Sequence, residues 1–111
     1  MIESYSFGRI MIDGKEYTHD VIIFPDHINS GWWRLEGHKL QLADLREVLH
    51  AKPKTLVIGT GHDGVMEVQQ EVRDLCRKNR IELIEAKTAD AVKKYNKLSG
   101  PGVVGAFHLT C

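Results

Sequence analysis

The residues with the most pointed chemistry are Gly59-Thr60-Gly61-His62-Asp63-Gly64, a G-x-G-x-x-G pattern between a β-branched run and a helical stripe. Glycines there permit a tight turn and close backbone approach, and free N–H groups at a helix start attract an anion such as phosphate. Glu85, at the end of the next predicted strand, stands where a ribose-binding carboxylate is expected. His62 and Asp63 lie inside the loop, at the carboxyl end of a parallel strand, where open α/β sheets place ligands and where a histidine can exchange protons near neutral pH. A full dinucleotide fold needs two β-α-β-α-β halves, and this chain offers roughly one. The plainer reading is a turn whose glycines bring a helix close to the sheet, with Asp63 as its cap.

A second group is Trp32, Trp33, Arg34 and His38. Arginine beside an exposed aromatic is the composition of a binding hot spot, and it is equally that of a rim salt bridge. Consecutive tryptophans on a strand face opposite ways, so one is expected in the core and the other at the surface. The six histidines are scattered, with no i, i+4 pair and no C-x-x-C companion, so no metal site is expected. Cys76 falls on an apolar helical stripe and reads as a buried thiol, whereas Cys111 reads as an exposed and reactive one.

These residues must be held by elements that the pattern outlines. From Tyr5 to Phe24 apolar and polar residues alternate about Asp13-Gly14, the preferred chemistry of a two-residue hairpin turn. Pro25 to Gly31 is a loop by composition, and Trp32 to Leu40 reads as a short strand with a turn at Gly37. Leu42, Leu45, Val48 and Leu49 recur at helical spacing up to Pro53, and Thr55 to Ile58 is a buried-strand run. Val65, Val68, Val72 and Leu75 predict a second helix, and Ile81 to Ala86 a strand. Thr88 is placed to cap a third helix with Val92, Tyr95 and Leu98 on its buried face, ended by Ser99-Gly100-Pro101-Gly102, before a last strand from Val103 to Leu109. This order predicts a single α/β domain over residues 1–111 with a mixed sheet and right-handed crossovers, and the hairpin either pairs at its edge or packs as a separate small sheet.

Composition bounds the function. The 111 residues suit one core, and 15 basic residues balance 15 acidic ones, so no global field draws the chain to nucleic acid or an anionic membrane. Eight basic residues outnumber four acidic ones between Arg73 and Lys97, but they fall on the polar faces of two predicted helices and read as a solvated face. No apolar run approaches the roughly twenty residues needed to span a bilayer, and no signal core follows Met1, so a cytoplasmic location is expected.

Phe7-Gly8, Trp33-Arg34 with Gly37-His38, the Leu56 to Gly61 strand and turn, Thr88, Ala91, Tyr95-Asn96 with Leu98, and Phe107-His108-Leu109-Thr110-Cys111 together resemble a small α/β family. That family includes the vertebrate adipogenesis-associated domain protein and, more distantly, a mitochondrial complex I assembly factor. The resemblance implies a three-layer domain, a central mixed sheet with helices on one side and an N-terminal β-hairpin layer on the other. It implies little about chemistry, because the family's named members are linked to assembly or to differentiation and bring no established enzymatic activity. Two functions therefore compete: a non-catalytic interaction or assembly module using Trp32, Trp33, Arg34 and His38, and a protein or enzyme that holds a small anionic ligand on residues 59–64. Neither cofactor nor oligomeric state is specified by the residues.

Overall fold

The alternation over the first twenty-odd residues folds as a three-stranded meander in the computed structural model, which describes residues 1–98 and 100–111. Strands β1 (Ile2–Ser6), β2 (Arg9–Ile12) and β3 (Lys15–Tyr17) pair antiparallel in that order. Asp13 and Gly14 both take positive φ, 48° and 82°, as the tight turn between β2 and β3 demands. The expected hairpin is thus a small sheet of its own. The chain then crosses into a five-stranded sheet, ordered β5 (Ile28–Asn29), β4 (Val21–Ile23), β10 (Val103–His108), β7 (Thr55–Thr60) and β9 (Glu82–Ala86). Strands β7, β9 and β10 run parallel, and β4 and β5 are antiparallel, so the central sheet is mixed as expected.

Connection handedness decides where the helices go. The chain passes from β7 outward to β9 through α2 (Gln70–Lys78), then back across β7 to β10 through α3 (Thr88–Leu98). Two right-handed crossovers running in opposite directions along a sheet must cover opposite faces. Accordingly α2 packs Val72 and Cys76 with Leu56, Ile58, Val104 and Ala106, on the side that also takes Val48 of α1 (Arg46–Ala51). Helix α3 packs Ala91, Val92 and Tyr95 with Val57 and Phe107 on the other face, beside Ile2, Ile10 and Ile12 of the meander. The hairpin layer therefore shares its side with one helix, and the Asn96 side chain joins the two by donating to Ile2 O and accepting from Ile2 N.

Two expected elements differ. Residues 32–38 are not a strand; only β6 (Lys39–Leu40) is extended, and it pairs in parallel with β8 (Glu67–Val68). That pairing holds Glu67–Val68 extended, and the backbone of Gln69 is extended too, so the second helix begins at Gln70 rather than Val65. The 3₁₀ turn Leu42–Leu45 leads into α1, which ends at Lys52 in left-handed backbone just before Pro53. In the segment expected to end α3, Ser99 lies outside the described residues.

Packing over β10 is tight enough to forbid a methyl group. A Cβ on Gly105 would lie 2.6 Å from Phe107 Cε2 and 2.8 Å from Tyr95 Cδ1. We expect Gly105→Ala to cost about 1–3 kcal/mol of unfolding free energy by urea denaturation. An unchanged midpoint would mean that both rings can move aside.

Candidate functional site

The two groups of residues singled out by sequence come together around the end of β10. Asp20, just before β4, is the residue that joins them. Its Oδ2 accepts from Arg34 Nη1 at 2.7 Å and lies 2.8 Å from His108 Nδ1, and its Oδ1 accepts from the Leu109 N–H at 2.8 Å. Arg34 Nη2 lies 3.0 Å from the same His108 Nδ1 and also donates to Gly37 O at 3.2 Å. One nitrogen cannot both donate to Asp20 and accept from Arg34; a proton on Nδ1 satisfies the carboxylate and leaves Nη2 with the Gly37 carbonyl. The cluster is largely dry, with side-chain exposures of 16% for Asp20, 6% for Arg34 and 7% for His108.

The loop that carries Arg34 is fixed on both sides. Trp32 is buried beneath the guanidinium, 4.8 Å from ring centroid to Cζ, and its Nε1 donates to Asp44 O at 3.0 Å. The Asp44 carboxylate accepts from the N–H groups of Leu35 and Gln41. Trp33 between them is exposed, so the two tryptophans do have opposite surroundings, although no strand sets the alternation. His38 is exposed and stands edge-on to His108 at 6.5 Å.

On its other side His108 abuts the glycine loop. A Cβ on Gly61 would lie 2.9 Å from His108 Cδ2 and would collide with the Cys111 carbonyl, and φ of +111° independently requires glycine there. The Thr88 hydroxyl, expected to cap α3, instead bridges two strand ends: it accepts from Gly61 N–H at 2.9 Å and donates to His108 O at 2.6 Å. Most amides of the loop are spent inside the protein. His62 N–H donates to Thr110 O, Gly64 N–H to Gly61 O and Val65 N–H to Cys111 O; the Asp63 N–H has no such acceptor among the described residues. Gly59 lies within β7, where a Cβ would meet Thr88 and Phe107. The loop leads into β8 rather than opening a helix. His62 and Asp63 face solvent, 3.1 Å apart, with His62 edge-on to Phe7. A cleft of about 420 Å³ opens beside Thr60 and Gly64 and includes Arg73 and Glu85. There Glu85 accepts two hydrogen bonds from the Arg73 guanidinium, at 2.7 and 2.9 Å, which occupies the carboxylate expected to face a ribose.

An Asp–His pair is the orientation used in acid–base dyads. Here His108 Nε2 and Arg34 Nε are buried without a hydrogen-bond partner among the described residues, and the imidazole is closed beneath Gly61. The arrangement is a clasp that joins the segment before β4, the 32–38 loop and the end of β10. Sequence reasoning missed Asp20, whose only signal is a lone carboxylate at the mouth of the apolar run Val21 to Phe24. Among the described residues no three His, Cys, Asp or Glu side chains converge as a ligand set for a metal, and no helix is long and apolar enough to cross a membrane. Cys76 is buried, and burial pushes its thiol up; Cys111 is exposed.

A family described as "protein of unknown function (DUF498/DUF598)" matches residues 2–108. The chain belongs to that family. It is similar to the conserved hypothetical protein PH1505 of Pyrococcus horikoshii OT3, at 30% identity and a TM-score of 0.84 over 100% of this chain and 99% of that one. It is also similar to a solved structure named MT938, at 26% identity and a TM-score of 0.80 over 100% and 98% of the two chains. A protein of Bartonella henselae described as an outer membrane protein shares the fold, at 22% identity and a TM-score of 0.79 over 99% of this chain and 94% of that one.

The clasp has a pH signature. Burial alone would raise the Asp20 carboxyl, but hydrogen bonds from His108, the Leu109 N–H and Arg34 outweigh it and hold the group below its ordinary value. A folded-state value below the unfolded one means the stabilisation is complete above the unfolded pKa, about 3.9, and is lost as pH falls through the folded value. Asp20→Asn should cost about 3–5 kcal/mol at neutral pH, because Arg34 then stays buried and unpaired. Urea unfolding from pH 7 downward should show the gap to wild type narrowing below about pH 4. A constant gap would mean that the Asp20 charge is not what holds the clasp.

Proposed function

We propose that the domain is a non-catalytic interaction module of the cytoplasm that presents the 32–38 loop to a protein partner, with Trp33 as its anchor. The carrying observation is the pair Trp33 and Leu35, 73% and 55% exposed, on a loop whose alternate residues Trp32 and Arg34 are locked inward. An indole held in water by a fixed backbone has large apolar area to bury, and little ordering of that backbone opposes binding. Arg34 itself is committed to the clasp and supports the surface from beneath. His38 lies at the far end of the loop. The resemblance to the family of the adipogenesis-associated protein and the complex I assembly factor supports the same reading.

The test is retention of partners from an extract of the encoding organism by tagged wild-type protein and by a Trp33→Ala, Leu35→Ser variant. The variant should melt like the wild type and retain at least about tenfold less of any specific partner, as loss of an interface anchor does. Equal recovery on both would remove the loop from consideration.

A second reading is supported by the open cleft beside Thr60 and Gly64, where a small anionic ligand of residues 59–64 would compete with Glu85 for the Arg73 guanidinium. Inorganic phosphate titrated at low salt should then raise the melting temperature saturably, and Arg73→Gln should abolish the rise. A flat response with wild-type protein would dismiss this reading.

A further inference from the structure

At the end of β4 away from Asp20, the seam between the meander and the central sheet opens into a cleft of about 710 Å³, a size typical of small-molecule sites. Ile12, Ile23 and Ile28 give it apolar surface, and the rings of Tyr17, Phe24 and Tyr95 line it. Tyr95 is the informative residue. It is only 6% exposed, its Cδ1 packs where a Gly105 Cβ would sit, and its ring stands edge-on to Phe107 at 5.7 Å. Its ring is packed, but its hydroxyl makes no hydrogen bond among the described residues and is not sealed from solvent, so the oxygen is open to the cleft that Tyr95 lines. Burial, and then the charge of Asp13, push the phenol up, so at neutral pH it is a neutral hydroxyl with oxygen lone pairs to offer.

The charge of the lining is equally directional. Two carboxylates, Asp13 and Asp26, border the cleft together with the Met1 amine and His27, and among the described residues no lysine or arginine side chain lines it. Asp13 accepts from the Met1 amine at 2.6 Å, and Asp26 lies 2.7 Å from His27 Nδ1; both pairs are exposed, so they exchange readily for another donor. The His27 imidazole stacks on Phe24 at 4.4 Å, with Glu47 3.5 Å from its other nitrogen, so carboxylates flank it on both sides. One face of Tyr17 already carries a cation, with Lys15 Nζ 5.4 Å from the ring centroid. Aromatic walls suit a flat apolar body, and the carboxylates and the Tyr95 oxygen suit an ammonium group while repelling an anion.

We propose that this cleft is a binding site for an organic ammonium ion with an aromatic body, with the Tyr95 hydroxyl and the Asp26 carboxylate as its polar contacts. The site is separate from the 32–38 loop and does not rest on the interaction reading.

Amide and side-chain NMR of the labelled protein, titrated with phenethylamine, 2-phenylethanol and phenylacetate, tests it. The ammonium compound should bind saturably and shift Tyr17, His27, Tyr95 and Gly100; the alcohol should bind more weakly and phenylacetate not at all. Tyr95→Phe keeps the ring packing and should weaken phenethylamine by about tenfold, the effect of one hydrogen bond to a charged group. Should that variant unfold, Asp26→Asn at its exposed position carries the same expectation. Absence of binding, equal binding of phenylacetate, shifts confined to another region, or an unchanged dissociation constant in the folded variants would each overturn the proposal.

Discussion

The Asp20 carboxylate is the contact on which the arrangement of the candidate site depends. It holds Arg34 from a loop 14 residues away and His108 from a strand 88 residues away, and it takes the Leu109 amide as well. Removing an arginine and an aspartate from water costs several kcal/mol per ion, which close geometry only partly offsets. Such a pair adds little net stability, yet breaking it is costly because the surviving charge stays buried. Its consequence is positional: the 32–38 loop, which has almost no regular backbone pairing of its own, is fixed to the sheet by side chains. With Trp32 and Arg34 committed inward, Trp33 and Leu35 have only solvent to face.

A second constraint is the covering of the carboxyl ends of the parallel strands. Open α/β sheets ordinarily bind ligands there, where glycine turns expose their amides. In this protein Thr110 and Cys111 pass over the turn and take the amides of His62 and Val65, while Thr88 takes that of Gly61. The polar groups that would hold a phosphate are largely used to close that end of the domain. Open volume instead lies beside it, at Arg73, and at the opposite end of the sheet, between the meander and the β4–β5 turn.

Local chemistry made much of the fold legible. The Asp13-Gly14 turn, the β-branched strand from Thr55 and the helix from Thr88 depend on neighbours within a few residues, and all three form as the sequence predicts. The misplacements have one cause. The stretch from Val65 carries a helical pattern, but pairing with Lys39–Leu40 keeps Glu67–Val68 extended, and a contact between segments so far apart leaves no periodic trace. The Thr88 hydroxyl likewise satisfies groups on β7 and β10 rather than its own helix, because it is sealed between them. Neither the motif at residues 59–64 nor the composition of residues 32–38 signals that His108 lies between them.

By itself the sequence determined the α/β class, the mixed sheet and most element boundaries, because periodicity, turn residues and apolar alternation act over a few residues. Only the tertiary structure decided that α3 shares a face with the meander, that Asp20, Arg34 and His108 form one buried clasp with Trp32 inward and Trp33 in solvent, and that Tyr95 lines a cleft. Each of those depends on the direction of a crossover or on partners tens of residues apart. A chain read in order carries no record of such distances until it has folded.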